Sequence, residues 1–168
     1  MNVWLCPVKP RSWQIIKRKM IFGAPTHAAK IMKRVEPDDL LIFHVFKPTN
    51  GIVAVGRVTS NAYEDNQDIW GKDRYPLRVR VEFVQNLLRE DNPIPLSSIF
   101  NRSSKSEVVV EPFLKNIWIT KVSKEQYKRL LSSFKDNVLQ EDNQRSPKRV
   151  DSCPTLPRRK SCGTRSQN

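Results

Sequence analysis

Two large aromatic residues, Phe22 and Trp70, each lie beside a glycine in segments that we predict to be loops. Cations flank both of them: Lys19 and Lys30 for the first, Lys72 and Arg74 for the second. An aromatic face can stack on a nucleobase, and nearby cations can hold phosphates, which is what binding of a single strand or an extruded base requires. On the residue pattern alone, packing of both rings in the core is an equally good interpretation.

Residues for catalysis are sparse by comparison. The sequence contains no glycine-rich phosphate loop, no nucleophile elbow and no pair of histidines at metal-ligand spacing, so we expect no cofactor and no metal. Asp65 and Asp68 could join His44 in a metal-dependent hydrolase or nuclease, which we keep as the less favoured alternative. Acids on a loop without a metal-ligand register are usually a hydrated loop, and a histidine within a strand is usually a core residue.

The charge of the chain indicates an anionic partner. The 168 residues carry a formal net charge of +13, and the first 35 contain eight Lys or Arg and no acid. Such a balance favours an anionic polymer over a membrane surface. The three cysteines do not form a disulfide framework, and no segment resembles a signal peptide or a membrane span, so we expect a cytoplasmic (intracellular) protein without membrane contact.

Alternation of apolar and polar residues predicts a strand over 75–84. Its apolar residues fall on one face, while Arg78, Arg80 and Glu82 fall on the other. Before it we predict strands over 3–6, 40–46 and 52–58, with a hairpin at Asn50-Gly51. Ser12 and Thr26 are predicted to cap two helices, and Phe22 to lie on the loop between them.

The C-terminal part divides into a helix and a tail. The segment 123–126 is a capping box, and apolar residues at 127, 130, 131 and 134 form the stripe of the helix that follows. Trp118, in a predicted strand, is assigned to the core. Residues 139–168 are polar and contain no aromatic residue, which predicts disorder. We therefore predict one domain over 1–138 and a disordered basic tail over 139–168.

Several segments, in this order and spacing, resemble EVE-domain proteins of the PUA-like superfamily. They fall at residues 3–6, 19–25, 36–40, 51–55, 58–63, 75–79 and 119–127, and the resemblance spans about residues 2 to 136. It implies an α+β fold: a mostly antiparallel β pseudo-barrel with flanking helices. The sequence is also similar to the YTH readers of methylated adenine in the same superfamily.

The resemblance also implies a site. An aromatic cage for a modified, methylated base in DNA or RNA would fall on Phe22 and Trp70, with further contacts near Pro7 and Val8 and at Lys9, Ser12 and Gly23. The first cage position is more often Trp in the family, and the polar residues expected after the first strand are replaced here. From the charge pattern rather than the resemblance, we predict phosphate contacts at these cations near the two aromatic residues: Lys19, Lys30, Lys33, Arg34, Lys72 and Arg74. The implied function is a non-enzymatic reader of a modified base; the alternative is a plain RNA-binding PUA-like module.

Overall fold

The computed structural model describes residues 1–71, 73–99 and 118–144, the last nine as backbone only. The strands are β1 (Val3–Val8), β2 (Ile21–Ala24), β3 (Leu40–Val45), β4 (Gly51–Val58), β5 (Tyr63–Glu64), β6 (Leu77–Phe83) and β7 (Thr120–Val122). The α-helices are α1 (Pro10–Lys19), α2 (Ala29–Met32) and α3 (Lys124–Gln144), and short 3-10 turns cover Thr26–Ala28, Gln85–Leu87 and Leu96–Ser98.

The described strands form one sheet in the order β2-β6-β4-β3-β1-β7, with β5 added on β6. The pairing of β1 with β3 is parallel, and every other pairing between these strands is antiparallel. The predicted mostly antiparallel sheet is therefore confirmed. The predicted hairpin is also present, since β3 and β4 pair on either side of Asn50, which has a positive φ of 49°.

The sheet curls, and each face has its own core. The inner face holds a cluster of aromatic rings in which Phe43 contacts Trp13 of α1, Phe22 of β2 and Phe83 of β6. The outer face of β1, β3 and β4 is covered by α3 through Leu130 and Phe134. This curled half-barrel with helices on both sides is the predicted α+β, PUA-like architecture.

Three local predictions in the N-terminal part were wrong. Helix α1 begins at Pro10 rather than after Ser12, because a proline fits the first helical position and Lys9 is the N-cap residue. Phe22 lies in strand β2, paired with Val79, rather than on a loop. Thr26 does not cap a helix, since it begins a 3-10 turn that follows Pro25 and leads into α2.

The capping box at the start of α3 is confirmed. The Gln126 amide N–H donates to Ser123 Oγ at 3.1 Å, and the Ser123 amide N–H donates to Gln126 Oε1 at 2.8 Å. The helix continues to Gln144, so residues 139–144 are helical and the prediction that they are disordered was wrong. The amino-acid composition of a segment does not by itself mark the residue at which a helix ends. The rest of the predicted tail lies outside the described residues. No helix in the described chain is long and apolar enough to cross a membrane.

A buried carboxylate joins the N-terminus to β3. Asp39 Oδ1 accepts from the Asn2 amide at 2.6 Å, and Oδ2 accepts from Trp4 Nε1 at 2.9 Å and from the Glu36 amide at 3.2 Å. Burial alone would raise the pKa of Asp39, but these hydrogen bonds favour the charged form and together hold the pKa below its ordinary value. The start of β1 is thereby fixed beside the start of β3.

A buried guanidinium holds the loop between β5 and β6. Arg78 was predicted on the solvent face of its strand, but it is 2% exposed. Its Nε donates to the Tyr75 carbonyl at 3.1 Å, Nη1 donates to Asp65 Oδ2 at 2.5 Å, and Nη2 donates to the Gln67 carbonyl. Burial of Arg78 is tolerated because these acceptors surround it, and the loop that carries Trp70 is thereby fastened to β6.

The substitution Asp39→Asn should lower the free energy of unfolding by about 1–3 kcal/mol, because an amide cannot accept all three hydrogen bonds. The pKa of Asp39 is lowered on folding, so its contribution is present above the unfolded-state pKa near 3.9 and is lost as the pH falls through the folded-state value. Urea denaturation should show the difference between wild type and variant narrowing below about pH 4. The exposed neighbour Asp38→Asn is the control, and a difference independent of pH would contradict the assignment.

The substitution Arg78→Lys keeps the charge but loses the planar fork, so at least two acceptors are left without a donor. We expect a loss of about 1.5–3 kcal/mol in the free energy of unfolding, with faster amide hydrogen exchange concentrated in residues 65–71. Arg80→Lys, at an exposed position on the same strand, should change neither quantity. Unchanged exchange in residues 65–71 would show that the guanidinium does not hold the loop.

Candidate functional site

Ten residues from separate parts of the chain surround one small cavity at the open side of the half-barrel. It is bordered by the end of β1, the start of α1, strand β2, the loop before β6 and the residue that precedes β7. The residues are Pro7, Val8, Lys9, Ser12, Ile16, Phe22, Gly23, Trp70, Tyr75 and Trp118. We call this the aromatic cavity. All five predicted base-binding residues border it, although they come from three distant segments of the sequence.

Four of the ten residues that border the cavity are aromatic. Trp70 and Tyr75 meet edge to face with ring centroids 5.3 Å apart, and Tyr75 and Trp118 follow at 5.2 Å. Phe22 contributes from the inner side of the sheet, where it also packs against Phe43. Trp118 packs against the core, as predicted, but it lies before β7, is only partly buried and contacts the exposed His27. It is the most accessible aromatic residue of the wall.

Gly23 allows the indole of Trp70 to lie against strand β2. A Cβ atom at position 23 would lie 2.9 Å from Trp70 Cζ2 and 2.9 Å from Tyr75 Cβ, closer than such contacts allow. Any larger residue would push Trp70 and Tyr75 off the strand. The glycine beside the first predicted aromatic residue thus positions the second one.

A polar network lies beside the aromatic rings. Lys9 Nζ is 3.1 Å from Asp73 Oδ1, and this ion pair is solvent-exposed. The side chains of Ser12 and Asp73 also lie near the Tyr75 hydroxyl and influence its pKa. Burial, followed by the negative charge of Asp73, raises the pKa of Tyr75 to about 12, so the phenol is neutral at physiological pH. Ser12, predicted as a helix cap, instead belongs to this network.

The cavity is nearly closed. Its volume is about 10 Å³, close to the minimum for one water molecule. Phe22 and Trp70 are 2% and 3% exposed, so neither presents an open face. A ligand larger than water can enter only if part of the wall moves.

An open cleft of about 470 Å³ lies on the other side of Trp70 and Tyr75. We call it the acidic cleft, because Asp65, Asp68 and Asp73 border it. The first two carboxylates are occupied within the loop: Asp65 Oδ1 accepts from the Gln67 amide and Asp68 Oδ1 from the Gly71 amide, both at 2.8 Å. These acids therefore shape the loop.

The residues of the hydrolase alternative are not brought together at the cleft. His44 is buried in β3, where it is paired with Pro7 and Ile52, and is not among the residues that border the acidic cleft. Nowhere in the described ranges do three His, Cys, Asp or Glu side chains group as metal ligands would. The geometry gives this alternative no support.

The predicted phosphate contacts are spread over the surface. Lys19, Lys30, Lys33, Arg34 and Arg74 are exposed, while Lys72 lies outside the described residues. Arg74 borders the acidic cleft. Arg34 lies over the ring of Trp4 in β1. Trp4 is three residues, or roughly 10 Å along the strand, from Pro7, which borders the cavity.

A further cation lies at the loop that carries Trp70. A Cβ atom at Gly71, where φ is +73°, would lie 2.8 Å from Arg11 Nη2. Arg11 belongs to the basic N-terminal run of the sequence, whose cations were predicted to form a phosphate-binding rim near Phe22. Tyr75 and Trp118 were missed because each was assigned to a predicted strand, whereas both precede the strands that form, β6 and β7.

The chain is similar to proteins from archaea and eukaryotes. A UPF0310 protein of Pyrococcus abyssi is 32% identical over 96 residues, which cover 51% of this chain and 68% of that one. The structure of a hypothetical protein from Leishmania major has a TM-score of 0.60 at 19% identity, covering 82% of this chain and 97% of that one. The YTH domain of a Zygosaccharomyces rouxii protein in complex with N6-methyladenosine RNA has a TM-score of 0.54 at 16% identity, with coverages of 79% and 87%.

The structural likenesses are below 25% identity and show the fold. The sequence gives a more specific result, because the family model described as the EVE domain matches residues 2–133. That range contains every residue of the aromatic cavity and all of the described strands. The chain therefore belongs to the EVE domain family.

Proposed function

We propose that this protein is a nucleic-acid-binding module that takes an extruded, modified nucleobase into the aromatic cavity. The observation that carries the proposal is the convergence of four aromatic side chains, from separate segments, on one cavity with cations beside it. Base-reading proteins stack an extruded base between aromatic or apolar walls and hold its backbone with cations. The likeness to a YTH domain in complex with N6-methyladenosine RNA points the same way.

Each aromatic residue of the cavity wall would have its own role in binding the base. Trp70 is fastened by the loop and by Gly23, so it serves as the fixed stacking face. Phe22, held against Phe43, forms the floor against which a methyl group packs. Trp118, the partly buried ring, closes over the base from the other side. This arrangement adds Trp118 to the pair inferred from the sequence.

Entry of a base requires the cavity to expand. The cavity volume of about 10 Å³ is close to the minimum that holds one water, and a base is several times larger than a water molecule. The exposed Lys9–Asp73 ion pair can break at little cost in free energy, because exposed ion pairs contribute about 0–1 kcal/mol to stability. Once released from Asp73, the Lys9 ammonium can reach the ligand or its phosphate.

The distribution of charged residues around the cavity would determine on which side the nucleic-acid backbone lies. The acidic cleft would attract phosphates less, because Asp65, Asp68 and Asp73 outnumber the two arginines that border it, Arg74 and Arg78. The α1 side carries Arg11 beside the loop and Lys19 at the end of the helix, followed by Lys30 beyond β2. The strand would therefore run along the α1 side of the aromatic cavity.

The nearly closed cavity also favours a second candidate: an RNA-binding module of the same fold that binds through surface cations and leaves the cavity shut. The two candidates differ in one measurable ratio. A base reader binds a modified oligonucleotide more tightly than the unmodified one of the same sequence, whereas the second candidate binds both equally. A binding array of modified DNA and RNA oligonucleotides measures this ratio.

Trp70→Ala should weaken binding of the preferred modified oligonucleotide by about ten- to a hundredfold, since stacking on one base is worth roughly 1–3 kcal/mol. The unmodified competitor should lose far less. Fluorescence anisotropy gives both affinities, and circular dichroism checks the fold. Tyr127→Ala, on the first turn of α3 where the side chain packs against the outer core, is a control that should leave both affinities unchanged. Equal losses for the two oligonucleotides would show that Trp70 has only a structural role.

Lys19→Glu combined with Lys30→Glu should lower affinity for modified and unmodified oligonucleotides alike. Each phosphate that the variant no longer neutralises should reduce the slope of log affinity against log salt by about 0.7 to 0.9. Lys124→Glu with Lys128→Glu, exposed positions on α3 at the opposite face, is the matched control. An unchanged slope in the first variant, or an equal change in the control, would show that the cations near β2 do not bind phosphates.

A further inference from the structure

A row of four aromatic rings leads from the aromatic cavity to the surface of the protein. The ring centroids of Trp70 and Tyr75 are 5.3 Å apart, those of Tyr75 and Trp118 are 5.2 Å apart, and those of Trp118 and His27 are 6.1 Å apart. The first three residues border the cavity, whereas His27 is not among the residues that surround it. Trp70 and Tyr75 are buried, Trp118 is partly buried and His27 is exposed. The fourth ring therefore extends the aromatic surface from the cavity into solvent.

The contact between His27 and Trp118 leaves part of the imidazole open. The two ring planes are inclined at 66°, so the edge of one ring meets the face of the other. At least one face of the imidazole is therefore not covered by Trp118, and the residue is exposed. His27 lies in the 3-10 turn Thr26–Ala28, in which the Ala28 amide donates to the Pro25 carbonyl at 2.9 Å. An exposed aromatic face on a hydrogen-bonded turn is suited to stacking on a base.

A cation lies on the same side of this turn. Helix α2 begins at Ala29, directly after the 3-10 turn, so Lys30 follows His27 by three residues in a continuous helical segment. Residues three apart in such a segment are neighbours on its surface, and both of these side chains are exposed. Lys30 also belongs to the side of the cavity along which we propose that the backbone runs. Aromatic faces combined with cations are the means by which single strands are bound.

We propose that His27 and Lys30 form a second nucleotide subsite, which takes the nucleotide next to the base in the aromatic cavity. The proposal rests on the proposed function and adds a contact outside the cavity. Extrusion of a base removes it from the stack, so a neighbouring base loses a stacking partner. The imidazole face of His27 replaces that partner, and the Lys30 ammonium neutralises the adjoining phosphate.

This subsite adds affinity and direction but no base specificity. Stacking accepts any base, because every base has a π-face, and a phosphate contact carries no sequence information. The subsite lies on one side of the cavity, since His27 is reached through Trp118. Only one of the two nucleotides that flank the extruded base can therefore occupy it, and the strand must continue from the cavity in one direction.

The experiment uses the full chain and short single-stranded RNA and DNA oligonucleotides that contain one methylated adenine or one methylated cytosine. In each oligonucleotide the base before or the base after the methylated one is removed, which leaves an abasic site with its phosphates intact. Fluorescence anisotropy gives the affinities. We expect removal of one flanking base to weaken binding to the wild type about tenfold, and removal of the other to change it less than about threefold.

Two variants at the exposed position 27 separate stacking from hydrogen bonding and charge. His27→Phe keeps a flat aromatic face, whereas His27→Gln keeps polar atoms and removes the ring. We expect His27→Phe to retain the dependence on the flanking base, and His27→Gln to reduce it to less than about threefold. The ratio of modified to unmodified affinity should stay at the wild-type value in both variants, because the proposed discriminating rings lie in the cavity. Circular dichroism checks that both variants are folded.

The outcomes separate this inference from the proposed function. A methylated oligonucleotide that binds more tightly than its unmodified counterpart, but tolerates removal of either flanking base, overturns the inference and leaves the proposed function standing. A flanking-base dependence that is equally strong in His27→Gln also overturns the inference, because the neighbouring base then stacks on another surface. Equal affinity for modified and unmodified oligonucleotides overturns the proposed function, and the inference with it.

Discussion

Arg78 is a charged side chain buried in strand β6, and its position requires acceptors that only the preceding loop supplies. Removing a guanidinium from water costs several kcal/mol unless hydrogen bonds replace its hydration. The carboxylate of Asp65 and the carbonyls of Gln67 and Tyr75 provide them, so residues 65–75 are drawn against the sheet. Trp70 lies within this span and is pressed onto Gly23. The aromatic cavity exists because the loop cannot leave Arg78 without exposing an unpaired buried charge.

The two sides of the cavity differ in how firmly they are held. On the Trp70 side, buried hydrogen bonds and close contact with β2 fix the indole. On the solvent side, the exposed Lys9–Asp73 pair contributes little free energy, and Trp118 is only partly buried. One wall is therefore held firmly, while the opposite wall is held by weaker contacts. The neutral Tyr75 phenol lies between them, so opening requires no change in its protonation at physiological pH.

Local patterns in the sequence predicted much of the fold. The alternation over β6 placed Leu77, Val79, Val81 and Phe83 correctly, and the capping box located the start of α3. Burial of Arg78 could not be predicted this way, because period-two alternation does not register acceptors up to 13 residues away. The residue pattern and the family resemblance together supplied seven residues that the structure brings to one cavity: Pro7, Val8, Lys9, Ser12, Phe22, Gly23 and Trp70. It did not supply Tyr75 and Trp118, which reach the cavity through tertiary packing rather than through any local signal.

The central claim is that a nucleobase enters the aromatic cavity when its outer wall opens. A crystal structure of the full chain with a short oligonucleotide carrying the modified base that binds most tightly would test it most directly. The account predicts an extruded base between Trp70 and Trp118, with Lys9 separated from Asp73 and the backbone along the α1 side. A bound oligonucleotide on another surface, with the cavity still closed and Lys9 Nζ still 3.1 Å from Asp73 Oδ1, would contradict it.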